Sequence, residues 1–126
     1  MRALAILAAL AAVPAAADPH EEGRDLSILH CGRCHVVPGG NRFGSIGLTP
    51  SFEAMRAYPD WQARFEAFWS EPPHAAITEV TGVSPPLDPD GAFTTAPVRM
   101  SEAELDAILA YVATITPKDV GQVDAR

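Results

Sequence analysis

Cys31-Gly32-Arg33-Cys34-His35 holds the only two cysteines of the 126-residue chain, three positions apart and followed at once by a histidine. On a helical turn, side chains at i and i+3 share a direction. Two thiols so spaced can add to the two vinyl groups on one edge of a porphyrin, while the next residue is placed to ligate its iron. C-x-x-C-H is the signature of covalent haem attachment. A disulfide or redox pair is the other chemistry open to C-x-x-C, but a thioredoxin-like pair expects a βαβ pattern that this chain lacks. A zinc site needs two further ligands at metal-binding spacing, and no cysteine remains to supply them. The expected cofactor is one covalent haem c held by Cys31, Cys34 and His35, with His35 the proximal iron ligand.

The elements that must position this motif are helices and loops. Glu21 to His35 reads as a helix ending in the cysteines, with Pro38-Gly39-Gly40 as its stop. Thr49-Pro50-Ser51 starts a short helix to about Ala57. Asp60 is an N-cap for a helix through Trp69 that puts Trp61, Phe65, Phe68 and Trp69 on one face. Pro72, Pro73, Pro85, Pro86, Pro89 and Pro97 make residues 71–97 a long loop wrapping the core. Ser101-Glu102-Ala103-Glu104 is a capping box, and Leu105, Ile108, Leu109, Val112 and Ile115 form the apolar stripe of a last helix closed by Pro117.

On these residues the chain resembles the class I cytochromes c. Gly23 precedes Cys31 by the spacing that family uses, and Leu105 to Val112 is similar to its closing helix, whose aromatic residue packs on that glycine; Tyr111 and Gly23 would form the crossing. Ser27 stands where the family's first helix usually carries an aromatic residue. The resemblance implies an all-α fold, a small cytochrome c-like domain of three to four helices and long loops around one covalently bound haem. It also implies that Pro50, within Gly47-Leu48-Thr49-Pro50-Ser51, accepts the Nδ1 proton of His35 through its carbonyl.

The family's sixth iron ligand is usually a methionine shortly before the last helix. Met100 is the first choice here, although the family's methionine generally lies nearer the position of Thr95. Met100 immediately precedes the N-cap Ser101, where it could equally staple against Leu105. His74, in Pro72-Pro73-His74, is the alternative and would give a bis-histidine haem of lower potential; Met55 is the third choice. An open site would instead bind small gases or peroxide. Arg42, Arg56 and Arg64 are candidates to neutralise haem propionates, and His20 and His30 read as surface residues.

Arg2, the apolar run Ala3 to Val13 and the small-residue pattern Ala15-Ala16-Ala17 read as a signal peptide over 1–17, which places the protein in the periplasm. A domain over 18–117 and a flexible tail over 118–126 complete the expected organisation. The run is short for a membrane span, and no later stretch approaches the required length of about 20 apolar residues. Nine Lys and Arg against sixteen Asp and Glu give a formal charge of −7, one unit more negative without Arg2. That balance argues against nucleic acid and for redox partners with a basic docking face. The expected function is one-electron transfer by a monomer that is not itself an enzyme. The alternatives are a haem c subunit of a periplasmic oxidoreductase, or a gas- or peroxide-binding haem protein.

Overall fold

The computed structural model describes residues 18–40, 42–43 and 46–119. The signal peptide expected over 1–17 and the last seven residues of the expected tail lie outside them. Among the described residues are four α-helices, α1 (Pro19–Cys31), α2 (Phe52–Met55), α3 (Trp61–Glu66) and α4 (Glu102–Thr114). Two strands, β1 (Thr78–Thr81) and β2 (Val98–Ser101), form a parallel pair.

This sheet corrects the all-α expectation: the fold is mixed α/β. Thr78 pairs with Val98, Val80 with Met100 and Thr81 with Ser101. Val80 and Thr78 point inward and are buried, at the alternation expected of a strand with one face on the core. Residues 82–97 run between the strands, long enough for the crossover of a dozen or more residues that parallel pairing requires. The segment expected as a loop over 71–97 is thus interrupted by a 3₁₀ turn at His74–Ala76 and by β1, and Val98 N–H also donates to the Ile77 carbonyl at 2.7 Å.

The helix expected through Trp69 stops at Glu66 and gives way to a 3₁₀ turn at Phe68–Ser70. Only Phe65 of its four aromatics is buried. The reason is local: the Trp69 indole N–H donates to the Glu66 carbonyl and the Ser70 hydroxyl to the Ala67 carbonyl, which draw the chain out of the α pattern. Trp61 stands beneath the Arg56 guanidinium, 4.1 Å from ring centre to Cζ.

α1 and α4 pack against each other at Gly23. A Cβ there would run into the Ala107 carbonyl oxygen and lie 2.7 Å from Tyr111 Cβ, so the backbones meet where α1 has no side chain. Ser27, one turn on, is fully buried, and its hydroxyl donates to the Gly23 carbonyl at 2.7 Å. An aromatic side chain would have no room at that position. Tyr111 reaches past the crossing to donate to the Pro38 carbonyl at 2.9 Å, which ties α4 to the turn after the cysteine motif.

α4 starts with the capping box its sequence announces. Ser101 Oγ accepts from Glu104 N–H at 3.2 Å, and Glu104 Oε2 accepts from Ser101 N–H at 2.7 Å. The Ser101 backbone bond first, then its hydroxyl and nearby His30, hold the Glu104 carboxyl below its ordinary pKa. Because the folded value is lowered, the contribution is present above the unfolded value of about 4.3 and is lost as pH falls below it. Ser101→Ala should cost about 1 kcal/mol in denaturant unfolding at neutral pH. Glu104→Gln should be less stable than wild type near pH 7, with the gap closing below about pH 4.

Among the described residues no helix is long and apolar enough to cross a membrane. Lys118 N–H donates to the Glu53 carbonyl at 3.0 Å, so the chain is still tied to α2 at the start of the expected tail.

Candidate functional site

Cys31 is the last residue of α1, and the chain turns at once, with Cys34 and His35 both donating their N–H groups to the Cys31 carbonyl at 3.0 and 2.9 Å. The turn brings the two cysteines and the histidine onto one wall of a cleft of about 770 Å³. That volume lies within the range of small-molecule and cofactor pockets, about 300–1,000 Å³.

The loop 46–52 is laced to this turn from below. Thr49 Oγ1 donates to the Cys34 carbonyl, and Phe52 N–H donates to the Val36 carbonyl at 3.0 Å. Pro50, held between these two anchors, presents its carbonyl to His35 Nδ1 at 2.8 Å. A carbonyl can only accept, so Nδ1 carries the proton and Nε2 keeps its lone pair for a ligand.

Both thiols are free rather than joined in a disulfide. Burial, and secondarily Cys34, push the Cys31 thiol up to about 12. Redox-active and metal-binding cysteines show the opposite shift, toward thiolate at neutral pH. Among the described residues no three His, Cys, Asp or Glu side chains are placed to hold a metal ion between them.

Three further elements line the cleft. The 3₁₀ turn His74–Ala76 contributes His74, β2 contributes Met100, and α2 contributes Met55. The His74 and His35 rings have centroids 6.0 Å apart and planes within 17° of parallel. Burial, with a smaller contribution from His35, lowers the His74 pKa and so favours the neutral imidazole. Met100 is 3% exposed and belongs to the core with Val80, Leu105 and Ile108. Phe52 and Phe65, edge to face at 5.2 Å, close the floor.

At the rim, Ile46 and Leu48 line the cleft yet are 67% and 100% exposed. Apolar side chains ringing an apolar cleft are what a flat hydrophobic occupant would cover. Two cysteines three apart at the turn that ends α1, a histidine whose Nδ1 faces the Pro50 carbonyl, and a large cleft with few charges together fit a covalently bound porphyrin.

Of the three arginines singled out for propionates, only Arg64 lines the cleft, paired with Asp60 at 2.8 Å. Arg42 is exposed and Arg56 is engaged with Trp61; neither is on the cleft wall. Arg33, inside the motif, was not singled out and does line it, donating to the Ala96 carbonyl at 3.1 Å across the rim. Its place between the two cysteines was the available signal. His30 is no surface residue: its side chain is 13% exposed, 3.7 Å from Glu104, on the cleft wall. Thr95, at the position where the family's methionine was expected, also faces the cleft.

Comparison with protein-family models, with curated proteins and with solved structures finds no match for this chain.

Proposed function

We propose that this protein carries one haem c, joined to Cys31 and Cys34 by thioethers and ligated by His35, and that it passes single electrons between redox partners in the periplasm. The observation that carries this reading is that Cys31, Cys34 and His35 line the same cleft, with His35 Nδ1 committed to the Pro50 carbonyl. Bound haem supplies a one-electron iron couple.

The chain's own residues supply the rest. Pro50 fixes the His35 tautomer and raises the basicity of its free nitrogen. The apolar lining from Phe52, Phe65 and Leu105 keeps water from the centre and thereby tunes its potential. The acidic surface, with formal charge −7, favours partners with a basic docking face and makes association weaken as salt rises.

The reading is tested by expressing the full chain in a host that matures c-type cytochromes. The purified protein should retain its porphyrin through denaturation and acid–acetone extraction. Its alkaline pyridine spectrum should be that of a haem with both vinyl groups saturated. A colourless protein of unmodified mass from a host that loads a control cytochrome would refute the reading.

A further inference from the structure

The cleft offers two kinds of side chain opposite His35, a thioether and an imidazole, and they would make different proteins. We propose that His74, rather than Met100, completes the axial pair with His35, making this a bis-histidine c-type haem protein. The assignment rests on the haem reading above.

A metal bound by one ring nitrogen from each of two imidazoles lies about 2.0–2.1 Å from each nitrogen, and each nitrogen lies about 1 Å from its ring centre, so the centroids fall about 6 Å apart. His35 and His74 have centroids at 6.0 Å with nearly parallel planes. This is too wide a gap for tight stacking. His35 has its Nδ1 occupied by Pro50, which leaves Nε2 as its ligating atom. The His74 ring makes no hydrogen bond among the described residues, so no competing contact claims its nitrogens.

The backbone holds His74 there. Ala75 N–H donates to the Glu71 carbonyl at 3.0 Å and Ile77 N–H to the His74 carbonyl at 2.9 Å, and β1 begins at the next residue. Phe68 meets the His74 ring edge to face at 5.3 Å and limits its rotation. The ligand is therefore presented by a turn clamped to the sheet rather than by a free loop.

Met100 is held differently. It sits within β2 in register with Val80 and is buried in the core. Leu105 and Ile108, of the same buried cluster, line the cleft beside it. Met100 is best read as part of the wall on which the haem rests, where a thioether packs well without bonding to it.

Two imidazoles leave the iron no open position, which removes the gas and peroxide chemistry of a five-coordinate haem. Replacing the thioether by imidazole also lowers the reduction potential relative to a histidine–methionine pair.

The test uses matured full-length wild type, Met100→Leu, His74→Ala and His74→Met. Pyridine spectra and mass report haem attachment separately from ligation, so a protein without haem defeats the function proposed above, while a haem-loaded one tests His74. Ferric wild type should be low-spin, lack the far-red sulfur-to-iron band, and show the paramagnetic resonance of two nearly parallel imidazoles. Met100→Leu should keep that spectrum. His74→Ala should become high-spin, bind carbon monoxide when reduced, and return to low-spin with added imidazole; His74→Met should gain the sulfur band. A sulfur band in wild type that Met100→Leu abolishes overturns the assignment, and so does a high-spin wild type.

Discussion

Gly23→Val should leave little folded protein. A branched side chain at this position has no rotamer that avoids the Ala107 carbonyl, because the obstruction begins at Cβ, and Tyr111 Cβ lies 2.7 Å from that same atom. The obstacle is largely backbone, so α4 must move as a body, which pulls Leu105, Ile108 and Val112 out of the core and breaks the Tyr111 bond to Pro38. Overpacking costs about 1–3 kcal/mol where side chains can shift; here about 3 kcal/mol or more is expected, against a total stability of about 5–15 kcal/mol. Thermal unfolding followed by circular dichroism should show a fall in Tm of more than about 10 °C. Gly23→Ala should show most of the effect, and Ala107→Gly should not rescue it, since the clashing oxygen belongs to the main chain. Full stability in Gly23→Ala would mean that the helices cross elsewhere.

The second large effect is expected from Cys31→Ser/Cys34→Ser. A serine hydroxyl does not form the thioether, so porphyrin that enters the cleft should be lost on acid–acetone extraction. The consequence reaches the fold. The cleft is lined largely by apolar side chains, which stay in contact with water when nothing fills it, so losing the bound group is expected to lower stability as well as remove colour. The doubly substituted chain should therefore be protease-sensitive and scarce in the periplasm, while each single variant keeps one thioether and an intermediate yield. Equal yields and equal protease resistance for wild type and double variant would show that the cleft does not depend on what is bound to the cysteines.

Legibility from sequence followed the range of the interactions. α4 was readable to its first residue because Ser101, Glu104 and the apolar stripe lie within a few positions of one another. α1 was readable apart from its ends: it starts at Pro19, capped by Asp18, and stops at Cys31, with His35 beyond it in a turn. α3 was overextended, because the i, i+4, i+7, i+8 aromatic pattern carries no information about the carbonyls that capture Trp69 and Ser70 side chains. The sheet was missed. Thr78-Glu79-Val80-Thr81 carries a β-branched alternation, but over four residues among prolines it is weak, and the strand exists only because Val98–Ser101 returns beside it from a distance.

The same division holds at the site. Residue types and local spacing picked out Cys31-Gly32-Arg33-Cys34-His35, whereas Gly23 and Pro50 were legible only through the family resemblance; the structure places Gly23 where α1 meets α4 and the Pro50 carbonyl 2.8 Å from His35 Nδ1. Tertiary structure decided what stands opposite. Met100 and His74 are both reasonable iron ligands in the linear sequence, and their separation along the chain does not discriminate between them. The parallel pairing of β1 with β2 sets Met100 in a strand of the core, and the His74 ring, on the turn just before β1, lies 6.0 Å from the His35 ring. Contacts between segments twenty or more residues apart depend on loop closure and shared burial, which no local pattern encodes.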